Sequence, residues 1–334
     1  MMRIWDRRQL TGMLALASVL PSTGLVAQTS PRAARRVGLM MAVSETDPEG
    51  QARLAAFRQG LQETGVDVGG QIVLDVVWYK GDYQLAENEA KALLERKVEL
   101  MVINGTPGMD AIRANGTSLP IVFVVVSNPV GVGYVSNLAR PGGNITGFST
   151  FEPEIAGKWL QILRQIAPGM KHVNMLLDAK FEAFTSLWQA VADVAPNHGI
   201  EAHAARASSL AEIKAALETI SRQEKPGLIV SPSPINTVNR QELIALANAA
   251  GIPAIYPFRF YVRDGALVAY GFNAADQFRR AAGYVSHILH GENPGDLPVQ
   301  PPRLFEFGVN LKTARQMGLT VPEDLLLSAD EIID

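Results

Sequence analysis

The 334-residue chain contains no cysteine. That excludes a disulfide framework and a lipid-modified N-terminal cysteine. It has no basic block either: 30 Lys and Arg stand against 33 Asp and Glu, for a net charge of −3, which argues against nucleic acid as a partner. After the first 27 residues no apolar run reaches the length of a membrane helix, and no low-complexity segment interrupts the chain. Walker A and nucleophile-elbow patterns are absent. The run from Gly131 to Ser136 matches only part of a dinucleotide fingerprint, since Ser136 stands in the third glycine's place and Pro129 intervenes. No cofactor is therefore expected. His287 and His290, with Glu292 nearby, are explained by the dipole of a helix end, and no metal site is expected. The carboxylate pairs Asp47 with Glu49 and Glu152 with Glu154 are neighbours in sequence only, so no catalytic set emerges and the chain does not read as an enzyme.

What is present begins with a leader. Arg3, Arg7 and Arg8 precede an uncharged apolar stretch over 10–20, broken by Pro21, and Ala27 offers a cleavage point before Gln28. Residues 1–27 read as an export signal, and Arg7 with Arg8 also suits the twin-arginine type. The mature product is expected to be soluble and periplasmic. Its length suits two domains, and 47% hydrophobic residues suffice for two cores.

Three short apolar strands run into a small polar residue and then proline: 100–103 into Asn104, Gly105, Thr106 and Pro107; 121–126 into Ser127, Asn128 and Pro129; 228–230 into Ser231, Pro232, Ser233 and Pro234. Proline cannot continue a central strand but suits the first turn of a helix, and Ser, Thr or Asn before it can cap free amides. Each run predicts strand, cap, helix. In an open α/β sheet such strand ends form the ligand crevice.

Strand and helix alternate along the whole chain. Strands are expected at 37–43, 72–78, 100–103, 121–126 and 145–148, without polar alternation, as in parallel sheets covered on both faces. A second alternation follows: helices over 155–166, 184–195, 210–223 and 238–249, with strands over 172–177, 200–205, 228–230 and 254–256. A strand at 267–271 precedes a helix over 273–290 that is expected to return to the first lobe, and a proline-rich passage then leads to a strand at 304–309. The expected fold is α/β: two doubly wound parallel-sheet lobes, 36–147 with 272–298 and 148–271 with 303–334, joined by a three-stranded hinge near Gly147, Gly271 and Val299.

Several segments carry a family resemblance. They are Leu54-Ala55-Ala56-Phe57-Arg58-Gln59-Gly60-Leu61, Pro120-Ile121-Val122-Phe123, the run from Leu138 to Gly147, Phe278-Arg279-Arg280-Ala281-Ala282, and Asn310-Leu311-Lys312-Thr313-Ala314 followed by Gly318, Leu319 and Pro322. Together they resemble the tryptophan/tyrosine-type solute-binding proteins of ABC importers. The resemblance implies a type I periplasmic-binding fold, capture of a small solute, and delivery to permease subunits in the inner membrane driven by a separate ATPase. Some relatives recognise aromatic amino acids with an acidic residue in the second-lobe loop. Here that loop, 231–236, has no carboxylate, so the solute stays open between an amino acid and an aromatic carboxylate.

Strand ends then nominate contacts. Ser44 and Thr46 follow the first strand, Asn104 and Thr106 the third, and Ser127 and Asn128 the fourth, all able to present hydroxyls or amides beside helix-end N–H groups. Across the cleft stand Asp178, Ser233, Asn236, Tyr256 and Arg259, with Phe151 just past the hinge. The expected function is capture of a solute between lobes by hinge closure. The alternatives are a periplasmic sensor feeding a membrane receptor and an α/β enzyme using the same crevice.

Overall fold

The structure, a computed structural model, describes residues 34–150, 155–181 and 184–334. The expected leader and Phe151 lie outside them. Among the described residues no helix is long and apolar enough to cross a membrane.

The first sheet is built from β1 (Arg35–Met41), β2 (Ile72–Trp78), β3 (Leu100–Asn104), β4 (Ile121–Val126) and β5 (Ile145–Ser149), in the order β2-β1-β3-β4-β5 and parallel throughout. Helices α1 (Pro48–Glu63), α2 (Tyr83–Glu95) and α3 (Thr106–Arg113) connect its strands. Side chains alternate across a strand, so Val37, Leu39 and Met41 of β1 enter one apolar cluster with Phe57 and Leu61 of α1. Met40 and Ala42 enter the other, with Leu93 of α2 and Ile112 of α3. Both faces of the sheet are therefore covered. Each fully buried Leu or Phe contributes roughly 1.5–3 kcal/mol.

The second half runs α4 (Ile155–Ile166), β6 (His172–Asp178), α5 (Thr185–Val194), β7 (Glu201–Ala207), α6 (Leu210–Ser221), β8 (Pro226–Val230), α7 (Pro234–Val238), α8 (Arg240–Ala249), β9 (Ala254–Tyr256), α9 (Phe260–Arg263), β10 (Val268–Phe272), α10 (Ala274–Leu289), β11 (Phe305–Asn310), α11 (Leu311–Gln316), α12 (Glu323–Leu327) and β12 (Glu331–Ile333). Its sheet has seven strands in the order β12-β11-β10-β9-β8-β6-β7. The architecture is the expected α/β one, two parallel-dominated sheets flanked by helices.

Helix α10 follows β10 of the second sheet yet packs on the first: Phe278 and Ala282 are wholly buried in the cluster that holds Phe57 and Leu61. The approach to α1 is close enough to require Gly60, because a Cβ there would strike the Arg279 carbonyl and lie 2.8 Å from the Ala282 Cβ. The chain passes between the sheets after Thr150, at Asn273 and over 300–304. The passages are laced together by Ser149 N–H to Gln300 O at 3.0 Å, Gln300 N–H to Gly147 O at 2.9 Å and Asn273 N–H to Leu304 O at 2.9 Å.

Three sequence expectations need correction. The run ending in Ser127-Asn128-Pro129 opens no helix: Asn128 takes a left-handed backbone with φ 45° and its side chain accepts from Gly131 N–H, turning the chain instead. The helix expected over 238–249 is α8 and starts two residues later, at Arg240, because Val238 ends the separate short helix α7 that Ser233 caps and Pro234 starts. One pair in the second sheet is antiparallel: β10 leads out to α10 and β11 brings the chain back, so the two run in opposite senses.

Candidate functional site

The C-terminal ends of β1, β3, β4 and β8 converge on a narrow pocket of about 20 Å³ between the two sheets, room for about one water as the halves stand here. One wall is formed by Ala42 and Val43 after β1, Asn104 to Thr106 at the turn from β3 to α3, Val125 and Ser127 around the end of β4, and Arg53 from α1. The facing wall comprises Phe184, Pro232, Pro234, Thr237 and Phe258.

Local sequence explains this shape. Gly105 adopts φ 85°, and a side chain there would sit 2.9 Å from the Tyr79 hydroxyl, so glycine alone lets the backbone turn tightly from β3 into α3. The N-terminus of α3 then points into the pocket with its positive dipole end. Val125 holds φ 60°, rare for a β-branched residue, at the register shift between β4 and β5. That bulge carries the strand end toward the cavity, where the Ser127 hydroxyl lies 2.7 Å from that of Thr150.

Arg53 is the dominant group. It is 3% exposed, with Nε donating to Glu49 Oε1 at 2.8 Å and Nη1 to Asn104 Oδ1 at 3.5 Å. Nη2 is buried and has no hydrogen-bond partner among the described residues. The guanidinium lies 5.7 Å from the Phe258 ring centroid, so cation and aromatic line the same cavity. An unpaired buried donor is costly and rare in native folds, and it invites an acceptor from outside.

Of the residues nominated by sequence, Asn104, Thr106 and Ser127 line this pocket. The Asn104 amide is already engaged, accepting from Ala42 N–H at 3.2 Å and donating to Val124 O at 3.3 Å, so it stitches three strand ends together. The Thr106 side chain is buried and makes no hydrogen bond among the described residues. The remaining nominees lie elsewhere. Ser44 and Thr46 bond each other in the turn before α1, and Asn128 is exposed in its own turn. Ser233 caps α7, while Asn236 donates to Ser231 O at 3.1 Å. Tyr256 is buried against Tyr261, ring centroids 5.1 Å apart. Arg259 is paired with Glu306 at 2.9 Å, beside a separate hollow behind the cleft.

Asp178 is buried outside the lining of this pocket. Its carboxylate accepts from the Tyr83 hydroxyl at 2.7 Å across the cleft and from Lys180 N–H at 3.0 Å. Tyr83 stacks on Phe181 at 5.1 Å, and Lys180 Nζ lies 4.3 Å from the Tyr83 ring centroid. Burial raises the Asp178 carboxyl above its ordinary value, outweighing the hydrogen bonds that favour its charge.

Sequence reasoning did not nominate Arg53, Phe184, Thr237 or Phe258. For Arg53 a signal existed: it lies four positions before Phe57 on the apolar stripe of α1, where a cation is out of place.

This combination, two α/β halves with a polar-and-aromatic pocket at facing strand ends, is that of a two-lobed solute-binding protein. The model for ABC transporter substrate binding proteins matches residues 37–333, and the chain belongs to that family. Its members bind substrates rather than transform them. A tyrosine-binding protein of Clostridioides difficile (strain R20291) is 23% identical over 311 residues, covering 91% of this chain and 86% of the relative. A conserved domain protein from Vibrio cholerae is similar in structure, with a TM-score of 0.82 at 26% identity, covering 89% of this chain and 99% of the other. An ABC domain from Streptococcus pneumonia solved in complex with L-Trp also scores 0.82, at 21% identity and with 90% and 100% covered. A ligand-free, open substrate binding protein from Clostridium difficile scores 0.65 at 22% identity, with 90% and 99% covered.

Proposed function

We propose that this protein is the periplasmic capture subunit of an ABC importer for a small carboxylate with an aromatic or other apolar body, the aromatic amino acids included. In this reading residues 1–27 direct export, by the twin-arginine route, and the mature chain delivers its solute to permease subunits served by a separate ATPase. The lobes are 36–147 with 272–298 and 148–271 with 303–334, and they close on the solute by rotation about the three laced passages. The higher structural similarity to the tryptophan complex than to the open, ligand-free protein supports a closed arrangement here.

One observation carries the substrate class: Arg53 Nη2, buried and unpartnered in the interlobe pocket. A planar guanidinium recognises a carboxylate in two-point fashion. Thr106, Ser127 and the α3 N-terminus add donors on the same wall, while Phe184 and Phe258 supply ring surface opposite. Among the described residues no carboxylate lines the pocket, so the anchor reads the acid end of the solute. The tyrosine and tryptophan named for the relatives both carry such an end.

A micromolar complex needs about 8 kcal/mol net, and a hydrogen bond to a charged group supplies roughly 1.5–3 kcal/mol. Mass spectrometry of the solute that co-purifies with native protein is expected to find a carboxylic acid. Calorimetry with L-tyrosine, L-tryptophan and their deaminated acids then identifies the preferred class. Arg53→Gln should weaken binding by about 10- to 100-fold. A neutral co-purifying solute, or unchanged affinity in Arg53→Gln, would overturn the assignment.

A further inference from the structure

Far from the pocket, at the opposite end of the second sheet, two histidines and a glutamate converge. The parallel register of β6 and β7 sets His172 opposite Glu201 and Asn174 opposite His203. Side chains two apart on a strand share a face, so Glu201 and His203 point the same way, and His172 faces them from the neighbouring strand. His172 Nδ1 lies 3.1 Å from His203 Nε2 and 3.6 Å from Glu201 Oε2, and His203 Nε2 lies 3.6 Å from Glu201 Oε1. These ligand-type atoms all fall within 4.8 Å of one another.

We propose that His172, Glu201 and His203 form a binding site for a zinc-class divalent cation. Zinc bound at roughly 2.0–2.1 Å to two imidazole nitrogens in tetrahedral geometry holds them about 3.3 Å apart, close to the triangle found here. Two nitrogens and one carboxylate suit zinc or its heavier neighbours better than magnesium or calcium, which prefer oxygen-only shells. The side chains are 24%, 33% and 68% exposed for His172, His203 and Glu201, leaving the remaining coordination position to water. Lys171, the residue before His172, is itself paired with Glu224 at 2.6 Å.

The site has a structural consequence. β7 is an outer strand of its sheet, held on one side only by β6. An edge strand is the first part of a sheet to open, and a cation shared by β6 and β7 cross-links that edge without touching the solute pocket. A ligand that binds the folded chain alone raises its stability by mass action.

The test uses untagged, full-length mature protein stripped with a chelator and titrated with zinc by calorimetry and thermal unfolding. One zinc per chain is expected, with a rise of a few degrees in the unfolding midpoint and no response to magnesium. His172→Gln and His203→Gln should each weaken zinc binding at least tenfold. His287→Gln, which removes the histidine paired with Glu292 at 2.6 Å, should leave it unchanged. Metal-free unfolding of each variant, together with the visible spectrum of bound cobalt(II), separates loss of ligands from loss of fold. Absence of binding, or binding that survives His203→Gln but not His287→Gln, would overturn the proposal.

Discussion

Arg240 of α8 reaches across the cleft to Asp47, the N-cap of α1: Nη1 to Oδ2 is 2.6 Å and Nη2 to Oδ1 is 3.1 Å. The two side chains are only 10% and 8% exposed, so a fork-shaped ion pair joins the two halves of the molecule in a largely dry setting. Burial opposes charge on Arg240, yet hydrogen bonds to Asp47 and Asp264 more than offset it and the guanidinium holds its proton more tightly than usual. The Tyr83–Asp178 hydrogen bond is a second strap between the halves.

Removing the first strap should open the cleft. Breaking an ion pair locked in a core costs about 3–5 kcal/mol, because the surviving charge stays buried. If the halves rotate apart, Asp47 regains water and the cost is smaller. Arg240→Ala is therefore expected to enlarge the radius of gyration in small-angle scattering while lowering unfolding free energy by less than about 3 kcal/mol. A larger loss with unchanged scattering would identify the pair as an ordinary core contact.

Asp178 should make stability depend on pH. Its folded pKa is raised from 3.8, first by burial, so the folded chain binds the proton more tightly than the unfolded one. Stability is then lost as pH rises from about 3.8 through the raised value. Asp178→Asn keeps an acceptor for the Tyr83 hydroxyl without the charge. Urea unfolding across pH 4–8 should show the variant gaining on the parent chain as pH rises, with the gap levelling off above the raised value. A gap of the opposite sign would show that the strap needs the carboxylate.

Thr106 separates contact from cap. Its hydroxyl has no bond among the described residues, and Gly105, not Thr106, occupies the cap position of α3. Thr106→Val is expected to leave the empty protein's melting temperature unchanged or slightly higher and to weaken solute binding about tenfold. Falling stability with unaltered binding would make Thr106 a structural residue.

Much of the architecture was legible because it rests on local rules. Continuous apolar strands such as Ile121–Val126 signal a sheet covered on both faces, and Ser233 before Pro234 signals a helix start. The same rule misled at Ser127-Asn128-Pro129, where a left-handed Asn128 makes a turn and no helix follows. Local chemistry permits both outcomes there, and the path of the chain toward Gly131 selects one.

The pocket was legible in place but not in membership. Strand ends located it, since the carboxyl ends of parallel strands must face the crevice, and Asn104, Thr106 and Ser127 follow from that alone. By itself, then, the sequence determined the alternating α/β order, the covered sheets and the strand-end crevice, all consequences of periodicity and capping within a few residues. Only the tertiary structure decided that Arg53, from a helix face that reads as core, points an unpaired donor into the cleft. It alone decided that Arg240 meets Asp47 across 193 positions and that His172 meets His203 across 31. Those contacts depend on sheet register and lobe approach, which arise from packing the whole chain and leave no mark in any short stretch of it.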